Sequence, residues 1–581
     1  MSKLEEFRSF MCKINVDVFM LRTNDEYLNE HSDELTRLCG FTGTNGLLFV
    51  TKNNKCIFFT DSRYIMQVHN QIDLRSFQVY NIQEKEPCEW VKENLTSTTS
   101  LGYYLQYSTA KEIRKYEKIC RLVPYSIKKE KNHKEQMIVS YTSEYSGESS
   151  KSKCERVIKS IDQEIEAIFL ADPNSISWLL NLRNENAKYN PCILGSVLLY
   201  RNGMVDLFIQ DKEYSTIQAN LDDNINILDA SELESSLCKL NSIMIDPSTT
   251  PMSIMNIIQS NHLVVEKEDP CLIHKAIKNK TEIVGAINAH IRDGVAVTNF
   301  LCWLENNVNK SLVDPYIIQA TSNEITELNA EARLLKYRKE QALFKQSSFP
   351  TISAFNENGA IIHYRSTYET NKVIQKNGLY LIDSGGQYLD GTTDVTRAIA
   401  IGNPTNEQIT HYTIVLKAHI AIASAIFPFS TTGGELDILA RVHLWRFGID
   451  YMHGTGHGVG SYLSVHEGPQ AISKGNEVKL MPGMILSNEP GYYIPGKYGI
   501  RIENLMYVNR QENGLLNFKQ LTSIPYDRRL ICQQMLTKDE IKWINNYHKF
   551  VYKNLKNNVS DKKWLKKICA PLQIKKEIAN L

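Results

Sequence analysis

The 581-residue chain has no CxxC pair, no long apolar run and no excess of charge of either sign. Its most apolar stretch, residues 418–429, contains His419 and Pro428. It falls well short of the roughly 20 apolar residues that a membrane span needs. Lys and Arg total 66 against 65 Asp and Glu, a formal charge of +1. That balance gives no electrostatic basis for a nucleic-acid or anionic-membrane partner. The twelve cysteines are scattered, and none falls between Cys302 and Cys532. The opening residues, MSKLEEFRSFMCKINV, are charged and lack an apolar core of signal-peptide length. Scattered cysteines behind such a start predict reduced thiols and a cytoplasmic location. Any metal held between Cys302 and Cys532 must take oxygen and nitrogen donors, not thiolate.

What is present is a globular composition, 42% hydrophobic and 23% charged, in a chain long enough for several domains. Residues 1–130 read as a mixed α/β unit. GLLFVT and CIFFT look like strands around the TKNNK turn, and helical periodicity covers 108–119. The Ser-rich stretch 140–153 reads as a solvated linker or a helix start. A second α/β unit, 131–270, carries SVLLY and DLFI around the Asn202-Gly203 turn. In the third, 271–581, the spacing predicts helices over 281–308, 405–427 (stopped by Pro428) and 435–447 (ending at Gly448). LYLID, VTRAIAIG and GIRIENLMYV read as strands between and after them, an α+β order. The lysine-rich tail from about residue 549 reads as a solvated helical extension.

Four clusters in the third unit gather acids and histidines among turn residues. In DSGGQYLDGTTDVTR, Asp383 ends one strand and Asp394 begins the next, so a hairpin brings the carboxylates together. Bare, they repel, and a divalent cation between them removes that penalty. Alone, the pair also fits two ordinary turn aspartates. HGTGHGVG and VHEGP place His453, His457 and His466 among glycines that let imidazoles approach a ligand closely. SNEPGYY adds Glu489. In GIRIEN, strand alternation puts Arg501 and Glu503 on one face, which suits either an inward acid with a cation partner or an exposed strand face. Together Asp383, Asp394, His457, Glu489 and Glu503 suit two divalent ions such as manganese, cobalt or zinc. Two such ions share a water, lower its pKa to give a metal-bound hydroxide, and polarise the attacked carbonyl.

In order and in length, these motifs resemble those of the aminopeptidase P (Xaa-Pro aminopeptidase) family. That family belongs to the pita-bread metallopeptidases, with methionine aminopeptidase, prolidase and creatinase. GFTGTNGLLFVT and FFTDSRYIMQ are similar to its N-terminal domain, and ISWLLNLRNENAKYNPC to its second. KAIKNKTEIVGAINAHIRDGVAVTNFLCWLE resembles the opening of its catalytic domain, and WINNYH the C-terminal extension of its three-domain cytosolic type. The resemblance implies two creatinase-like α/β domains, 1–130 and 131–270, before a pita-bread domain, 271–581, whose extension starts at about 525. It implies an N-terminal Xaa-Pro peptidase that is commonly dimeric and prefers manganese. Asp383 would chelate one ion, Asp394 and Glu503 would bridge both, and His457 and Glu489 would bind the second. Glu489 would also be the general base, and His466 would meet the scissile carbonyl or oxyanion. His363, in GAIIHY, would line the proline-side pocket, and His453 and Arg501 would orient the centre.

The run SAFNENGAIIHY departs from the family pattern, with Asn356 and Glu357 where a Gly-Pro pair is expected. Proline has no N–H and a fixed φ, so an apolar pocket near His363 is expected to accept its ring. Two readings compete. A prolidase of the same fold would cleave dipeptides only, and a pita-bread binding protein would have lost its ligands.

Overall fold

The computed structural model describes residues 2–23, 33–127, 136–210, 221–258, 263–308 and 324–573. The expected boundary at 130/131 and the last eight residues of the lysine-rich tail lie outside them. The chain forms two compact units. One holds Met1–Thr142, Glu148–Ala187 and Cys192–Leu272, and the other Ser143–Gly147, Lys188–Pro191 and Ile273–Leu581. Among the described residues no helix is long and apolar enough to cross a membrane.

The first unit contains two six-stranded mixed sheets. In one, Leu47–Thr51 and Cys56–Thr60 pair antiparallel, and every residue of both strands is buried. In the other, Ser196–Tyr200 and Val205–Ile209 form a hairpin turning at Gly203, whose φ of +88° only glycine adopts readily. The helical periodicity expected over 108–119 yields one short helix, Ala110–Ile113, followed by turns. The Ser-rich stretch resolves into a helix start, because the Ser149 hydroxyl accepts the Ser152 N–H and caps Ser150–Ile158.

The second unit carries the chemistry-bearing motifs. Asn279, Thr405, Thr432 and Thr537 each cap a helix with a reciprocal side chain three residues on, giving Lys280–Asn307, Asn406–Ala423, Gly433–Trp445 and Lys538–Leu555. The second of these stops at Ala423, short of the expected Phe427. Ile426–Phe427 pairs instead as an edge strand with Leu516–Gln520, and Phe427 is buried there. Gly378–Ser384 lies between Ile352–Phe355 and Val395–Ile401 in one antiparallel sheet. A six-stranded sheet contains Asn504–Arg510, Ile485–Asn488, Gly456–Gly458 and Glu467–Ile472 as neighbours. The expected single strand GIRIENLMYV is two, Tyr498–Arg501 and Asn504–Arg510, broken at Ile502-Glu503. A core that includes Tyr412, Val415, Ile500, Ile502, Tyr526, Ile544 and Val551 fastens Asn406–Ala423 and the C-terminal helix to these strands.

Candidate active site

Strand pairing sets Asp383 opposite Thr396, one turn of the pleat from Asp394. Arg501, which ends one strand, and Glu503, just before the next, are both buried. The carboxylate oxygens of Asp383, Asp394 and Glu503 lie within 4.8 Å of one another. The same spacing groups His457 with Glu489 and Glu503, and Asp394 with His457 and His466. The five residues expected to hold metal therefore converge. Gly456 and Gly458 flank His457 because the strand is hemmed in on both sides. A Cβ at Gly456 would stand 2.0 Å from the Ser487 carbonyl oxygen, and one at Gly458 would stand 2.1 Å from that of Glu467.

Arg501 donates to Asp383 Oδ2 at 2.5 Å, to Tyr493 Oη at 2.8 Å and to Thr396 Oγ1 at 3.1 Å. The Thr396 hydroxyl in turn donates a hydrogen bond to Glu503 Oε2 at 2.8 Å. These bonds leave Asp383 Oδ1, Asp394 Oδ1 and Glu503 Oε1 buried with no hydrogen-bond partner. Burial, then the charges of Asp383 and Glu489, raises the Asp394 carboxyl well above the usual carboxylate range. Burial and the neighbouring carboxylates raise Glu503 likewise. Orphaned carboxylate oxygens facing one another are a costly arrangement that cations relieve, so this donor set fits divalent ions. His457 Nδ1 donates to the Gly458 carbonyl at 2.9 Å, which leaves Nε2 as the ring nitrogen that faces the carboxylates. That nitrogen stands 3.5 Å from Asp394 Oδ2 and 3.4 Å from Glu489 Oε1, as a metal-ligating imidazole requires.

His453 is outside the ligand groups. Its Nδ1 donates to the Gly454 carbonyl, so its Nε2 accepts the Tyr493 hydroxyl at 2.8 Å and closes a relay from Arg501. His466 is exposed, and its ring meets that of His457 edge-on at 4.4 Å. His363 is half-buried and belongs to none of the convergent groups. Its segment is fixed by Glu327, which is fully buried and accepts from Phe355 N, Asn358 Nδ2, Tyr364 Oη and Lys372 N. The departure at 356–357 has a local explanation. Asn356 holds a left-handed φ of +49° and accepts the Leu379 N–H at 3.0 Å, while Glu357 pairs with Lys372.

Sequence reading missed the uncharged members. Ser487 Oγ donates to Glu489 Oε1 at 3.1 Å and accepts the His457 N–H at 2.9 Å. Ser487, Thr396 and Tyr493 all lie in or beside the quoted motifs at strand spacing from a ligand residue, the signal that would have found them. Glu467 was missed too. It follows His466, is buried, and pairs with Lys278 and, at 3.6 Å, with Lys275.

Residues 287–510 match the family model for metallopeptidase family M24, and 514–572 that for the C-terminal region of the same peptidases. Residues 3–130 and 128–282 each match a creatinase/prolidase N-terminal domain. An Xaa-Pro aminopeptidase 1 of Dictyostelium discoideum is 35% identical, covering 98% of this chain and 96% of its own. A probable Xaa-Pro aminopeptidase P of Coprinopsis cinerea is also 35% identical, over 98% of each. The crystal structure of an X-prolyl aminopeptidase from Caenorhabditis elegans, described as a cytosolic enzyme with a di-nuclear active site, superposes with a TM-score of 0.88. It is 30% identical over 98% of this chain and 99% of that one. A prolidase from Pyrococcus horikoshii shares the fold at a TM-score of 0.53 over 64% of this chain. The chain is thus a hydrolase with creatinase-type N-terminal domains and a pita-bread catalytic domain, and it belongs to the Xaa-Pro aminopeptidase family of M24 metallopeptidases.

Proposed function

We propose that this enzyme releases the first residue of peptides with proline at the second position, with two manganese ions held by Asp383, Asp394, His457, Glu489 and Glu503. The observation that carries the reading is the convergence of four carboxylates and one imidazole whose Nε2 faces them, with three buried oxygens left without partners. Oxygen-rich donors with one nitrogen and no thiolate favour manganese over softer metals. The ions supply Lewis acidity at the carbonyl and a water of lowered pKa.

The protein residues do the rest. Glu489 takes the proton of the attacking water and returns it to the departing proline nitrogen, which has none of its own. Burial raises the Glu489 carboxyl above its usual range, while His457 and Arg501 pull it back, so it suits both halves of that transfer. Ser487 fixes which Glu489 oxygen faces the centre. His466, at the exposed rim beside His457, donates to the carbonyl oxygen as charge builds there. Arg501, Thr396, Tyr493 and His453 hold Asp383 and Glu503 in place, and His363 borders the proline ring. The enzyme works in the cytosol as a homodimer. The worm enzyme is described as cytosolic, and Ile438, Trp445 and Phe447 present apolar surface in the second unit.

The deciding experiment is hydrolysis of an Xaa-Pro-Xaa tripeptide by metal-stripped protein with and without manganese. Release of the first residue should return with manganese and vanish in Glu489→Ala. Turnover of Xaa-Pro dipeptides alone would move the enzyme to the prolidases, and no turnover with any metal would end the peptidase reading.

A further inference from the structure

The strands that present Glu489 and Glu503 are tied together from behind. Asn488, directly before Glu489, and Asn504, directly after Glu503, are cross-strand partners. Asn504 Nδ2 donates to Tyr526 Oη at 2.9 Å, and Tyr526 Oη lies 3.0 Å from His419 Nε2. His419 Nδ1 lies 3.0 Å from the Asn488 carbonyl, and Asn488 Nδ2 returns a bond to the His419 carbonyl at 2.9 Å. A carbonyl only accepts, so Nδ1 carries the proton. Nε2 is then an acceptor and the Tyr526 hydroxyl donates to it. One proton arrangement satisfies every link.

We infer that Tyr526 and His419 are positioning residues of the metal centre, a buried bridge that makes the C-terminal region part of the site. Both side chains are fully buried. Arg397 adds a second tie. Its guanidinium donates to the Glu503 carbonyl at 2.6 Å, to Asn504 Oδ1 at 2.8 Å and to Tyr547 Oη at 3.1 Å, and it lies over the Tyr526 ring. The WINNYH motif now has a role. Trp543 and Tyr547 stack at 5.5 Å, Tyr547 stacks on Tyr526 at 4.7 Å, and His548 Nε2 accepts the Tyr526 N–H. Burial pushes His419 down to about 3, so the bridge keeps its protons across the working pH range. The mechanical need is plain. The carboxylates in front repel one another, and a scaffold that let them splay would hold cations weakly.

The inference rests on the proposed ligand set, and one calorimetric experiment separates the two. Manganese is titrated into metal-free full-length protein. Wild type should take up two ions. Folded Tyr526→Phe should bind them at least about 10-fold more weakly. Trp543→Phe, which alters the same aromatic wall without touching a hydrogen bond of the bridge, should keep wild-type affinity even if its Tm falls. If Tyr526→Phe does not fold, His419→Gln carries the same comparison. Wild-type affinity in the bridge variants overturns the inference, and so does an equal loss in Trp543→Phe. A wild-type protein that takes up no manganese overturns the two-ion reading, and this one with it.

Discussion

Asp394 shows what the site demands of a single carboxyl. It is buried beside Asp383 and within reach of Glu489, and its carboxyl is held well above the usual range. A folded-state pKa above the unfolded one means that the folded protein binds the proton more tightly. The stability this adds is complete below about pH 4 and drains away as pH rises through the raised value. Buried histidines work in the opposite direction. His290 is lowered to about 4, and His419 and His548 to about 3, so their part of the stability grows as pH rises towards the ordinary histidine range. Total stability is therefore the wrong readout, and the difference between wild type and Asp394→Asn isolates the carboxyl. In metal-free protein at pH 7, Asp394→Asn should be the more stable by on the order of 1–3 kcal/mol, and inactive. Urea titrations between pH 4 and 8 should show this gap widening with pH, and manganese should reverse it for wild type. A gap independent of pH would mean that Asp394 does not titrate under strain.

At the scale of elements, the turn at 355–361 shows how a departure from a motif is accommodated. Asn356 supplies both the left-handed backbone and a hydrogen bond to Leu379 N. Asn356→Gly keeps the first and loses the second, and should cost about 1 kcal/mol. Asn356→Val loses both and should cost about 2–3 kcal/mol. Equal losses in denaturant melts would show that the left-handed geometry is not what selects the residue. The long helix Lys280–Asn307 was legible because its apolar residues keep helical spacing, and the Asn279–Glu282 cap fixes its start. The helix ending at Ala423 was misread by four residues because strand pairing at Ile426–Phe427, a tertiary effect, overrode a locally helical run. The convergent side chains were legible because carboxylates and histidines among turn residues are chemically conspicuous. Thr396 and Ser487 were not, since a hydroxyl carries no charge to mark it and its role appears only when two distant strands meet. Alternation put Arg501 and Glu503 on one face but left open whether that face is inward or exposed; both are buried, to either side of the point where the strand breaks.

For the whole molecule the open matter is what covers the apolar surface of Gly433–Trp445. Ile438 and Trp445 are seven residues apart, two helical turns on one face, and are 53% and 48% exposed. Phe447 and Met452, just beyond, are 53% and 55% exposed. Single exposed apolar residues are ordinary, but a cluster along one helix marks a contact surface, and a symmetric dimer covers such a face with its own copy. Light scattering should give the mass of two chains for wild type and of one for the double variant Ile438→Glu, Trp445→Glu, because glutamates on a twofold face meet each other across it. The convergent ligand groups lie within one chain, so the monomeric variant should still take up two manganese ions with wild-type affinity. A dimer that survives both glutamates would place the interface elsewhere. A clean monomer that loses manganese would instead mean that the partner subunit shapes the metal centre.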